Sequence, residues 1–128
     1  MENNKTFENL MAAFAGESQA NRKYTAFAKK AAAEGKMNAA KLFQAAADAE
    51  TLHALKEFEV AGLIKSTAEN LKSAVDGETY EYESMYPGFI ETAQAEGNKA
   101  AVQIFNFAMK AEEVHAKLYQ EALDNIDE

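Results

Sequence analysis

The sequence has no cysteine, no tryptophan, a single proline and only two histidines. Without cysteine there can be no disulfide, no thiolate metal site and no thiol nucleophile. A cysteine-free chain also fits a reducing, cytoplasmic interior. One proline and six glycines leave few breakers among many alanines, a balance that favours long helices over a sheet. No apolar run near the N-terminus has the length of a secretory signal, and no stretch is long enough to span a membrane. Basic residues are few: 13 Lys and Arg stand against 21 Asp and Glu, for a net charge of −8. That excess argues against nucleic acid or an anionic membrane as a partner. A solvated acidic surface would explain it without any metal, whereas carboxylates holding divalent cations would neutralise part of it.

What is present is a hydrophobic content of 48 % in 128 residues, enough for one folded domain over 1–128 with its own core. Both histidines fall in one repeated motif. Ala49-Glu50-Thr51-Leu52-His53-Ala54 recurs 62 positions later as Ala111-Glu112-Glu113-Val114-His115-Ala116. Each copy is preceded by a Gly-Glu pair, Gly16-Glu17 and Gly77-Glu78. A Glu and a His three apart share a helix face.

Periodicity predicts four helices. The first runs from about Thr6 to Glu34 and stops at Gly35, with Leu10, Phe14, Glu17, Asn21, Tyr24, Ala28 and Ala31 on one stripe. The second spans about Met37 to Leu63. The third starts near Thr67, read as its N-cap, and ends at Gly97. The fourth spans about Lys99 to Leu123. The same offset of 62 relates Tyr24 to Tyr86, Phe27 to Phe89, Ala33-Glu34-Gly35 to Ala95-Glu96-Gly97, and Phe43 to Phe105. The chain therefore reads as two copies of a helical hairpin, about 6–63 and 67–123, which together make an all-α four-helix bundle.

The repeat has one flaw. Between Gly16-Glu17 and Gly77-Glu78 the offset is 61, so the third helix carries one extra residue before Tyr86, around Glu81. A single residue inserted in a helix is commonly absorbed as a π-bulge, often at a functional site. Pro87 should bend the same helix.

The stripes carry Glu17, Glu50, Glu78, Glu81 and Glu112 among apolar positions. Ionised carboxylates in a core are costly unless paired or coordinated to metal. Arg22, the single arginine, cannot neutralise five acids, whereas two divalent cations can. Glutamates at helical spacing usually form a solvated face, but two Glu-x-x-His copies in register, each with its upstream Glu, match the ligand set of di-iron carboxylate bundles. Mixed carboxylate and imidazole donors suit iron, manganese or zinc better than calcium. Tyr24, Tyr86 and Tyr119 can serve as hydrogen-bond donors behind such ligands, or simply as packing.

Four segments resemble the rubrerythrin family in its ferritin-like di-iron domain. They are Ala13-Phe14-Ala15-Gly16-Glu17-Ser18-Gln19-Ala20, Glu50-Thr51-Leu52-His53, Gly77-Glu78-Thr79-Tyr80-Glu81-Tyr82-Glu83-Ser84-Met85-Tyr86-Pro87, and Ala111-Glu112-Glu113-Val114-His115. The resemblance implies a ferritin-like fold and two iron ions held by Glu17, Glu50, His53, Glu78, Glu81, Glu112 and His115. It implies that one iron moves between the Glu81-type and His53-type ligands with redox state, which makes those two residues catalytic. The extra Glu81 distinguishes the family from ferritins and bacterioferritins. The implied activity is that of a hydrogen peroxide reductase in oxidative-stress defence. Rubrerythrins commonly continue into a rubredoxin-like domain with four cysteines, and without one the electrons are expected from an external donor such as a rubredoxin. Ferritin-like iron oxidation and storage, an oxygen-using oxidase, and a non-catalytic helical module are the rival readings.

One departure concerns topology. In the ferritin-like arrangement helices two and three run parallel, so their link must travel the bundle's length. A helix of about 27 residues is roughly 40 Å long. A link of about Ile64 to Ser66 with its frayed neighbours reaches only ~15–20 Å. Either the bundle is a simple up-down-up-down one, or hairpins are exchanged in a homodimer; the exchanged dimer is expected because it preserves the family's ligand arrangement.

Overall fold

The computed structural model describes residues 4–126. The elements are α1 (Lys5–Ala33), α2 (Met37–Val60), α3 (Thr67–Tyr80), a π-helical turn (Glu81–Met85), α4 (Tyr86–Ala95) and α5 (Lys99–Asp124). The described residues contain no strand, as an all-α chain requires. None of their helices is long and apolar enough to cross a membrane. The chain divides into two compact units, Met1–Ile64 and Lys65–Glu128.

In the first unit α1 packs along α2 as an antiparallel hairpin. Asn4 accepts from the Phe7 amide to start α1, and Gly35, at φ 76°, ends it. The interface is built on alanine: Ala28, Ala31, Ala40, Ala47 and Ala54 are its buried side chains. Small side chains let the two helices approach closely. Asn21 crosses the gap, donating from Nδ2 to the Ala47 carbonyl and to Thr51 Oγ1, each at 2.7 Å. Tyr24, Phe27 and Phe43 cluster at one end and Phe14 stacks on Phe58 towards the other.

In the second unit α5 packs against α3 and α4. The aromatic cluster is repeated with Tyr86, Phe89 and Phe105, as the offset of 62 requires. The inserted residue is absorbed by the π-turn that opens at Glu81. Pro87 follows at the start of α4, where a missing amide donor is tolerated.

Two boundaries differ from the sequence reading. Ser66, not Thr67, caps α3: its Oγ accepts from the Glu69 amide and donates to a Glu69 carboxylate oxygen. Helix α2 ends at Val60, not Leu63, because Gly62 adopts φ 81° and reverses the chain. The link is accordingly longer than expected, running from Ala61 to Ser66.

Candidate metal centre

Each hairpin brings together its own group of potential metal ligands. In the first, Glu17 on α1 faces Glu50 and His53 on α2. His53 Nδ1 lies 3.6 Å from Glu17 Oε1 and 3.5 Å from Glu50 Oε1. In the second, His115 Nδ1 on α5 lies 3.8 Å from Glu78 Oε1 and 3.2 Å from Glu112 Oε1. Within each trio, one donor atom per residue falls within 4.8 Å of the others. The carboxylates are half-buried and the imidazoles exposed, so each trio opens to one side.

Glu81, which opens the π-turn, is not one of the Glu78, Glu112 and His115 trio but interacts with two of its carboxylates. Its carboxyl is hydrogen-bonded with that of Glu112, and this contact, burial and the nearby charges of Glu112 and Glu78 push it up to about 7. The same hydrogen bond holds Glu112 below the ordinary glutamate value. Burial, then the hydrogen bond with Glu112, raises Glu78. One proton shared among crowded carboxylates accounts for the whole pattern.

These donors fit a cation. Glu17 Oε2 and Glu78 Oε2 are buried with no hydrogen-bond partner among the described residues. A buried carboxylate oxygen without a donor is destabilising. The lysine ion pairs among the described residues join Lys5, Lys30, Lys36, Lys56 and Lys72 to carboxylates outside the cluster. Arg22 Nε donates to Asn21 Oδ1. A divalent metal would satisfy acceptors that no side chain does, and carboxylate with imidazole is a donor set for iron, manganese or zinc.

The tyrosines differ from one another. Burial and the charges of Glu81, Glu112 and Glu78 raise the Tyr86 phenol, so its hydroxyl sits near the second group with its proton held. Tyr24 packs against Phe27 and Phe43. Tyr119 is exposed.

Sequence reasoning missed Glu57. It lies on the face of Glu50 and His53, one turn beyond the histidine, and its carboxyl is hydrogen-bonded with that of Glu17. Burial first and Glu17 second push it above the ordinary glutamate value. The spacing from Glu50 through His53 to Glu57 was the available signal. It is hidden by the repeat, which aligns Glu57 with Tyr119.

Comparison with known proteins gives the same grouping. The rubrerythrin family model matches residues 8–123. Nigerythrin of Nitratidesulfovibrio vulgaris is 45% identical, over 95% of this chain and 67% of its own length. Rubrerythrin of Porphyromonas gingivalis is 39% identical, over 97% of this chain and 68% of its own. Nigerythrin solved in a partially reduced state has a TM-score of 0.51 at 42% identity, covering 99% of this chain and 70% of that one. The relatives thus extend beyond the matched part. With its ferritin-like all-α fold, its doubled Glu-x-x-His and a family match over nearly its whole length, the chain belongs to the rubrerythrin family.

Proposed function

We propose that the chain is a single ferritin-like di-iron domain that reduces hydrogen peroxide to water in oxidative-stress defence, in the cytoplasm, drawing electrons from an external rubredoxin-like donor. The observation that supports this reading is the π-turn at Glu81–Met85, with Glu81 interacting with Glu112 and Glu78. In this reading Glu17, Glu50 and His53 hold metal from one hairpin, and Glu78, Glu81, Glu112 and His115 hold it from the other. When bound, a ferrous pair would supply the two electrons that peroxide takes up with two protons as its O–O bond breaks to leave two waters.

The chain's own residues do the rest. The carboxylates and imidazoles orient the ions and leave an open side for a small substrate. Glu81, holding its proton to near-neutral pH, is suited to joining and leaving the ligand set, with His53 as the alternative ligand. The Tyr86 hydroxyl stays protonated and can donate to a neighbouring carboxylate. In this reading hairpins are exchanged in a homodimer, the alternative to a simple up-down-up-down bundle that keeps the family's ligand arrangement with a short link.

Anaerobic titration of the iron-loaded, reduced protein tests this reading. Peroxide should oxidise it much faster than oxygen does, at a stoichiometry of two irons per site. Comparable oxidation by oxygen would favour an oxidase, and many irons per chain would favour storage. Metal analysis of protein purified without added metal distinguishes iron from manganese or zinc.

A further inference from the structure

The chain's charge is divided unevenly. Met1–Ile64 carries eight basic and eight acidic residues, whereas Lys65–Glu128 carries five and thirteen, so the whole net charge of −8 falls on the second hairpin. Within the first, Ser18 to Ala47 hold six cations and a single acid, Glu34. Four of the six form one face of α1. Arg22 and Lys29 are seven residues apart, as are Lys23 and Lys30, and all four are exposed around the small, exposed Ala26. Seven residues are about two helical turns, and at about 3.6 residues per turn this face is centred opposite the stripe of Glu17, Asn21, Tyr24, Ala28 and Ala31.

Helix surfaces commonly pair a cation with an acid three or four residues away. Of these four only Lys30 has one, Glu34 at 3.7 Å, and Glu34 is shared with Lys36 at 3.9 Å. The positions three and four away from Arg22, Lys23 and Lys29 hold only Ser, Gln, Thr, Ala and Phe. The hairpin plan does not need this basic character. At the offset of 62, Lys29, Lys30, Lys36 and Lys41 align with Glu91, Thr92, Asn98 and Gln103.

Clustered like charges repel one another, and an acidic partner relieves that repulsion. We propose that the Arg22, Lys23, Lys29 and Lys30 face of α1 docks the acidic surface of the electron-donor protein. The assignment rests on the peroxidase reading, which requires such a donor, and adds where it binds. Position supports a redox partner over other acidic proteins. Glu17 lies on the far side of the same helix, one helix diameter of about 10 Å away, and Arg22 follows it by five residues, about 8 Å of rise. The acidic second hairpin meanwhile repels an acidic donor, so the field of the chain steers it to the first. A phosphate polymer fits less well, because the chain as a whole carries excess negative charge.

Binding of an acidic rubredoxin to the full, iron-loaded chain tests the assignment, measured by calorimetry at low ionic strength with both proteins oxidised, so that no turnover is needed. In K23E/K29E/K30E the dissociation constant should rise at least ~10-fold, the lower end of what electrostatic steering supplies. The parent's affinity should also weaken as salt is raised to about 0.15 M, where exposed charges are screened beyond about 8 Å. K65E/K99E/K117E makes the same change in net charge on the second hairpin and should keep most of the parent's affinity. Equal weakening in the two triple variants would show that only total charge matters and would overturn the assignment. Unchanged affinity in K23E/K29E/K30E, or no measurable binding by the parent, would overturn it too. Tighter binding of the parent to a DNA duplex or to phosphatidylglycerol vesicles than to the rubredoxin, lost in K23E/K29E/K30E, would give the face to phosphates instead. Where circular dichroism shows that charge reversal unfolds α1, K23Q/K29Q/K30Q repeats the comparison, with a smaller loss of the same sign expected. Intact docking without oxidation of the reduced protein by peroxide would strike at the peroxidase reading and leave the docking face standing.

Discussion

At the scale of single residues, the second hairpin's carboxylates make the metal-free chain sensitive to pH. Glu81 is raised from 4.5 to about 7 by its hydrogen bond with Glu112 and by burial. Between those values the folded chain holds a proton that the unfolded chain releases, so this contribution is full below about 4.5 and is lost as pH rises through about 7. Glu112 is lowered and acts in the opposite sense, stabilising above the ordinary glutamate value and losing that effect as pH falls below it. Across the near-neutral range Glu81 therefore decides the sign. The melting temperature of the metal-free protein, measured by calorimetry in chelator, should decline by a few degrees from about pH 5 to about pH 8. E81Q should flatten that slope, and a parent protein whose melting temperature rises over the interval would contradict the shared-proton account. Metal binding needs ionised carboxylates, so the loaded protein should show the reverse trend.

At the scale of elements, the π-turn separates two hairpins that otherwise share one plan. Its position was legible because the offset drops from 62 to 61 across Gly16-Glu17 and Gly77-Glu78, and an uncompensated residue in a helix must widen a turn. Glu57 was not legible in that way, because repeats reveal only what both copies keep. The end of α2 was misjudged because apolar Leu63 and Ile64 prolong the stripe, whereas the backbone obeys Gly62. Deleting exposed Glu83 would restore the Glu17-to-Tyr24 spacing in the second hairpin, a spacing the first hairpin already folds with. Helicity by circular dichroism should stay unchanged while Glu81 turns away from Glu112, and metal affinity should drop at least ~10-fold. Unaltered affinity in the deletion variant would show that the π-turn is not what brings Glu81 to the site.

For the whole molecule, the question is which hairpins share a site. Six residues, Ala61 to Ser66, connect α2 to α3 and reach at most ~20 Å when extended. Helix α2 has 24 residues and is therefore about 36 Å long. A parallel placement of α2 and α3 within one chain needs a link of that greater length, and the corrected link, though twice as long as the three residues expected, still falls short. The family's ligand arrangement is compatible with this chain if one hairpin of each protomer pairs with the complementary hairpin of another. Light scattering should give twice the 14.0 kDa chain mass at micromolar concentration. Exchange itself is tested by complementation. H53A damages only hairpin one and H115A only hairpin two, so each variant alone should lack complete sites. When the two are unfolded together and refolded in equal amounts, half the dimers are mixed, and each mixed dimer carries one site assembled from two undamaged hairpins. About a quarter of the parent's metal-dependent peroxide reduction should return if sites are shared across chains. No recovery from a mixture that demonstrably contains mixed dimers would mean that each site is built within a single chain.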